Sequence, residues 1–105
     1  EYREKYDLAL SRAVSKLAIL AEYCLPFVRI GGIFISQKGR EIEGELRNSR
    51  KAIEVLGGRV KETIPYKLPL GEGELERNLV VIDKVRSTPE NYPRRPGVPA
   101  KRPIS

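Results

Sequence analysis

The chain has 105 residues, of which 32% are charged and 40% hydrophobic. That is enough for one small domain with one modest core. A single cysteine and no histidine exclude a disulfide framework and a zinc cluster, and remove the commonest general base, so no metal is expected.

The formal net charge is +6, and it is unevenly spread. From Lys84 to Ser105, Lys84, Arg86, Arg94, Arg95, Lys101 and Arg102 are opposed by Glu90 alone, which leaves the rest of the chain close to neutral. A basic end of this kind suits a polyanion, most often nucleic acid. The competing reading is a solvated, solubilising tail. The longest greasy run, LAILAEYCLPFVRIGGIFI, is broken by Glu22, Pro26, Arg29 and Gly31-Gly32. It falls short of a membrane span and lacks signal-peptide anatomy, so a cytoplasmic protein is expected. The chain opens on Glu1, not Met, and is read as a piece of a longer protein.

In chain order, Tyr6–Ser11 reads as a strand. In the following RAVSKLAILAEYCLP, Val14, Leu17, Ala18, Ala21, Cys24 and Leu25 recur at helical spacing. Leu20 and Tyr23 add apolar surface, which predicts a well-buried helix. Pro26 ends it, and RIGG is expected to turn. Ile33–Lys38 is β-branched and aromatic at its start and predicts a second strand, broken by Gly39. Over Glu41–Leu56, the residues Ile42, Leu46, Ser49, Ile53 and Leu56 form one helical stripe, with Glu43 and Arg47 paired on another face. Gly57-Gly58 stops that helix.

RVKETIPYKLPL alternates, with Val60, Ile64, Tyr66 and Leu68 assigned to one face. Pro65 cannot donate to a ladder, so this is an edge strand. GEGELER is a polar connection. NLVVIDKV carries the apolar run Leu79–Ile82 and predicts a strand buried on both faces. The connection is too short for a crossover, so the last two strands form an antiparallel hairpin. The order is β-α-β-α-β-β. The first two strands are parallel through right-handed crossovers. The third lies outermost, and the fourth inserts between it and the second. Residues 1–86 form the domain and residues 87–105 a proline-rich basic arm.

Ligands gather at the carboxyl ends of strands in open parallel sheets. Arg12, just after the first strand, and Lys38, at the end of the second, are candidates for that rim, with Gly39 allowing a close turn. The competing reading is a surface arginine opening a helix, where its charge opposes the helix dipole, and a solvated lysine. Asp7 lies at the far end of its strand. Asp83 is assigned to a salt bridge or an exposed edge, and Cys24 to the core as a structural thiol. Tyr2, Tyr6, Tyr66 and Tyr92 are scattered and form no obvious stacking platform.

YDLALSRAVSKLAILAEYCLP, GGIFISQKG, KAIEVLGG, LPLGEGELERNLVVIDKV and TPENYPRRPGVPAKRPI follow one another in the order found in a known family. Together they resemble the C-terminal part of bacterial small-subunit (16S) ribosomal RNA methyltransferase G, also called glucose-inhibited division protein B. SRAV and YPRRPGVPAKRPI are the most specific stretches. The resemblance implies an α/β fold, the second half of a Rossmann-like class I S-adenosylmethionine-dependent methyltransferase sheet with its terminal antiparallel hairpin. It implies methyl transfer from S-adenosylmethionine to N7 of a guanosine in 16S rRNA. Arg12 of SRAV then lines the cofactor cleft, and Lys38 contributes to the RNA or catalytic rim. No catalytic residue is assigned, because guanine N7 is already a lone-pair nucleophile and needs no base.

The family's glycine-rich cofactor loop, in the N-terminal half of the domain, has no counterpart here, so the chain alone is expected to be inactive. The alternatives are a non-enzymatic basic RNA-binding module and an inactive half-domain. The tail is expected to be a stiff, extended arm. It is partly packed through Tyr92 and its prolines, and offers Arg94, Arg95, Lys101 and Arg102 to RNA.

Overall fold

A computed structural model describes residues 3–12, 16–39 and 42–104. Glu1, Tyr2, Val14, Glu41 and Ser105, which enter the expectations above, lie outside them. The elements are β1 (Tyr6–Ser11), α1 (Leu17–Cys24), a 3-10 turn (Leu25–Phe27), β2 (Val28–Lys38), α2 (Glu43–Val55), β3 (Gly58–Leu70), β4 (Gly73–Lys84) and a short α3 (Val98–Lys101). The strands form one sheet in the order β1-β2-β4-β3. β1 and β2 are parallel, while β4 runs antiparallel to both β2 and β3. The inserted fourth strand and the outer, Pro65-bearing third strand therefore stand where the sequence places them.

α1 and α2 both lie on one face of the sheet, because two successive right-handed crossovers in the same direction return on the same side. The core sits between them and that face. Phe34 of β2 and Val80 and Ile82 of β4 meet Leu17, Leu20, Ala21 and Leu25 from the first helical segment and Ile42, Ile53 and Leu56 from the second. Each such large side chain contributes about 1.5–3 kcal/mol by leaving water. Ser49, on the same stripe, is buried and bonds back to the Glu45 carbonyl at 2.8 Å.

Four local expectations are corrected. First, Arg12 does not open the helix, which begins at Leu17 after Lys16. Second, RIGG is not a turn before β2 but a bulge inside it. Tyr6 pairs with Val28 and Leu8 with Ile33, so β2 spends three extra residues there, with Gly31 at φ 92°. Third, the face assignment of β3 fails at its start. A bulge between Val60 and Glu62 sets Val60 opposite Ile82 on the helix side, whereas Ile64 lies opposite Leu79 on the other face. Strict alternation cannot see an inserted residue. Fourth, GEGELER is mostly strand. Leu70 pairs with Gly73 across a two-residue turn, and Gly71 has the positive φ such turns favour.

The hairpin therefore outruns the sheet. The last rung between β2 and β4 is Lys38–Asn78, and among the described residues, residues 73–77 pair only with β3. At about 3.3 Å per residue this extends some 17 Å past the carboxyl end of β2.

Candidate functional site

The sheet face opposite the helices is uncovered among the described residues. Register places Leu8 and Leu10 beside Ile33 and Ile35, and Ile35 and Gln37 beside Val81 and Leu79. Leu10 is 67% exposed and Leu8 47%. Among the described residues the outer edge of β1 has no neighbouring strand. A parallel βαβ sheet ordinarily has both faces covered.

At the carboxyl end of this open face, Leu10, Ser11, Arg12, Ile35, Gln37 and Leu79 line a hollow of about 350 Å³. Its floor is apolar and its rim carries the exposed cation Arg12. Arg12 thus stands at the strand end, on the open face and beside the open edge. An apolar floor with one cation and one amide at its rim has the donor set of one wall of a nucleoside or cofactor site.

Lys38 is placed differently from expectation. It shares the helix face with Phe34 and Ser36 and is only 6% exposed. Its ammonium lies 2.8 Å from Glu45 Oε2, the same oxygen that accepts the Leu17 amide. That contact ties the end of β2 to the starts of α1 and α2. Strand parity is the reason, since Lys38 and Gln37 must point to opposite faces. Gln37, not Lys38, lines the hollow.

The tail is folded back, not extended. Thr88 is buried and donates to the Leu56 carbonyl. Tyr92 and Ile104 lie against the core, and Pro99 is buried. Arg3 reaches over to the carbonyls of Thr88, Pro89 and Tyr92. Arg94 turns inward. Its guanidinium meets both oxygens of Glu22, at 2.9 and 2.7 Å, and its own backbone N–H donates to Glu22 at 2.8 Å. The freed donor capacity reaches the Arg102 carbonyl at 2.7 Å. Arg95, Lys101 and Arg102 remain exposed.

Sequence reading treated Glu22 only as an interruption of an apolar run. It is 1% exposed on the buried face of α1. Burial alone would raise its pKa, but the Arg94 guanidinium and amide overcome this and hold it below the usual 4.5. The signal was present: a carboxylate between apolar helix positions requires a buried partner. Lys84, which adds to the basic excess of the C-terminal end, is fully buried. It donates to the carbonyls of Leu25 and Val28, at 2.6 and 2.8 Å, and pairs with Glu4 at 3.1 Å. Burial lowers its pKa, with Glu4 opposing. Cys24 is half-buried, and desolvation pushes its thiol up to about 11, in keeping with a structural role. Asp83 pairs with Arg59 at 3.6 Å and Asp7 with Arg29, both away from the hollow.

A family model described as rRNA small subunit methyltransferase G matches residues 1–80. The chain belongs to this family. Its full length is 49% identical to the ribosomal RNA small subunit methyltransferase G of Acetivibrio thermocellus, covering 42% of that protein. It is 54% identical to the protein of the same name from Desulforamulus reducens, covering 43%, and 53% identical over 99% of the chain to that of Alkaliphilus oremlandii. The chain thus spans about two fifths of the length of the curated relatives it matches. The sheet is accordingly half of a Rossmann-like methyltransferase domain. No helix among the described residues is long and apolar enough to cross a membrane.

Proposed function

We propose that the chain is the C-terminal part of a cytoplasmic, S-adenosylmethionine-dependent methyltransferase acting on N7 of a guanosine in 16S rRNA. The observation that carries this is the hollow at the carboxyl ends of β1 and β2, rimmed by Arg12 and opening beside the edge of β1 that no strand pairs among the described residues. That is the crevice where open α/β sheets take ligands. Arg12 and the apolar floor of Leu10 and Ile35 form one wall for the cofactor. The remainder of the domain covers the open face and pairs with β1, and by itself the chain is inactive. Residues 1–86 are its share of the methyltransferase domain, and residues 87–105 are the basic arm.

Bound there, S-adenosylmethionine supplies an electrophilic methyl group to the N7 lone pair. Nothing in the chain has to remove a proton from the base. The protein's work is positioning, and an environment that tolerates a newly cationic ring. RNA phosphates are met by Arg95, Lys101 and Arg102, since Arg94 and Lys38 are committed to Glu22 and Glu45.

Calorimetry with S-adenosylmethionine on the longer protein that carries this chain tests the reading. Arg12→Ala is expected to weaken cofactor binding about tenfold, the equivalent of one charge-assisted contact. Unchanged affinity would remove Arg12 from the site. Absence of any binding by the parent would remove the cofactor from the proposal. A related observation concerns the tail: its three exposed cations predict RNA affinity that falls with salt, and a flat dependence of log affinity on log salt would exclude phosphate contacts.

A further inference from the structure

A polar row on the open face runs from Gln37, the amide at the rim of the cofactor wall, onto the overhanging hairpin. Tyr66 and Arg77 form the first rung beyond the end of β2. Gln37 stands on β2, and its Nε2 donates to the Tyr66 hydroxyl at 2.5 Å, reaching across β4. The ring is therefore held by a contact that spans two strand spacings. Arg77 lies opposite Tyr66, and its Nε is a buried donor without a hydrogen-bond partner among the described residues. A buried donor left unsatisfied costs about 1–3 kcal/mol, so such a group calls for an explanation.

The row begins at the hollow rimmed by Arg12, which Gln37 lines. Tyr66 and Arg77 also border a second hollow of about 410 Å³ on the overhanging hairpin, whose other lining residues, Pro65, Lys67, Glu76 and Asn78, belong to the helix-side face by strand parity. The Gln37–Tyr66 bond ties the Tyr66 ring to the edge of the first hollow. A base stacked on that ring lies next to whatever occupies the first hollow.

We infer that Gln37, Tyr66 and Arg77 form the docking site for the target nucleotide, an unstacked guanosine of single-stranded or locally opened RNA. The inference rests on the methyltransferase reading above and adds the substrate side of that site. A reaction at N7 leaves the imidazole edge of the base to the incoming methyl group. Recognition must then come from the ring face and the Watson–Crick edge. Tyr66 supplies a half-buried aromatic face. A glutamine amide has both donors and an acceptor, so Gln37 keeps hydrogen-bonding capacity for the base edge after binding Tyr66. Arg77 supplies donors to a phosphate or to O6. Stacking on an aromatic ring also suits the product, whose methylated ring is a cation.

The test uses the longer protein that carries this chain, with three variants. Tyr66→Ala is expected to lower kcat/KM for rRNA about 10- to 100-fold through KM, the range for loss of one base–aromatic stack. Its affinity for S-adenosylmethionine by calorimetry should fall by less than its affinity for RNA, since Tyr66 reaches the cofactor wall only through Gln37. Tyr66→Phe keeps the ring and should keep most of the activity. Arg77→Gln should raise KM and reduce the salt slope by about one phosphate contact. If Tyr66→Ala does not fold, Arg77→Gln carries the test alone.

Fluorescence anisotropy with a short guanosine-containing single-stranded RNA reads the same site without turnover. Weaker binding by Tyr66→Ala with binding by Tyr66→Phe preserved supports the platform even if the parent methylates nothing, which would overturn the methyltransferase reading alone. Parent-like kcat/KM and RNA affinity in both Tyr66→Ala and Arg77→Gln would overturn the inference. So would a loss in Tyr66→Phe as large as in Tyr66→Ala, because a positional hydrogen bond, not a stacking face, would then explain it.

Discussion

Glu22 and Arg94 form an asymmetric pair, and the asymmetry predicts which partner is costlier to lose. Glu22 is 1% exposed, whereas 26% of the Arg94 side chain is open to water. In Glu22→Gln the stranded arginine can turn outward and the amide oxygen still accepts. The cost is that of a weakened hydrogen bond, about 1–2 kcal/mol at any pH between 5 and 7. In Arg94→Ala the carboxylate stays buried and keeps only the backbone N–H of residue 94. Removing one member of a buried pair costs about 3–5 kcal/mol. Protonation sets a ceiling: neutralising a carboxyl of ordinary pKa 4.5 at pH 7 requires about 3.4 kcal/mol. At pH 5 the same step requires less than about 1 kcal/mol.

The deficit of Arg94→Ala should therefore be about 3 kcal/mol at pH 7 and shrink to about 1 kcal/mol at pH 5. The sign follows from linkage. In the parent, the folded pKa of Glu22 is depressed. Its stability is complete above 4.5 and is lost as pH falls from there toward the lowered folded value. In Arg94→Ala, burial is opposed only by the backbone N–H of residue 94 and raises that pKa. The mutant is then penalised as pH rises through 4.5 and above. Urea unfolding of the chain, or of the longer protein that carries it, at pH 7 and pH 5 measures both. A deficit in Arg94→Ala no larger than in Glu22→Gln, or one unchanged at pH 5, would refute the buried-carboxylate account.

Gly57 and Gly71 both have positive φ, but an added Cβ at Gly57 would lie 2.1 Å from the Arg86 carbonyl oxygen, while Gly71 faces open space. Gly57→Ala should destabilise by at least about 3 kcal/mol, from strain and backbone clash together, and Gly71→Ala by only about 1–2 kcal/mol; equal urea midpoints would contradict this. Lys84→Met keeps most of the side-chain volume but strands the Leu25 and Val28 carbonyls and the Glu4 carboxylate. It should cost about 3 kcal/mol or more, and a loss under about 1 kcal/mol in the same titration would show that Lys84 is not a structural clamp.

Strand order was legible because each inference used a property that cannot be compensated elsewhere. Pro65 lacks a donor, so β3 must be an edge. Leu79–Ile82 has no polar position, so β4 must be central. Faces were less legible, because alternation assumes an unbroken ladder. The extra residue between Val60 and Glu62 moved Ile64 and Tyr66 to the open face, beside Gln37. That is how a tyrosine read as scattered comes to stand on the rim. The same parity rule, applied correctly, would have chosen Gln37 over Lys38.

Buried ions were the least legible features, since a charge in a sequence gives no sign of where its partner lies. Lys84 and Arg94 both belong to the basic C-terminal segment, yet both are turned inward, to Glu4 and Glu22. This changes what the net charge means. Part of the basic excess anchors the tail and part is displayed by it. The Arg94 guanidinium holds both oxygens of Glu22 and also donates to the Arg102 carbonyl. The buried pair thus fixes the short segment that presents Arg95, Lys101 and Arg102. An arm held this way loses less entropy on meeting RNA than a free one. Arg94→Ala should accordingly weaken RNA binding more than removal of one exposed cation, although the Arg94 guanidinium is itself engaged with Glu22.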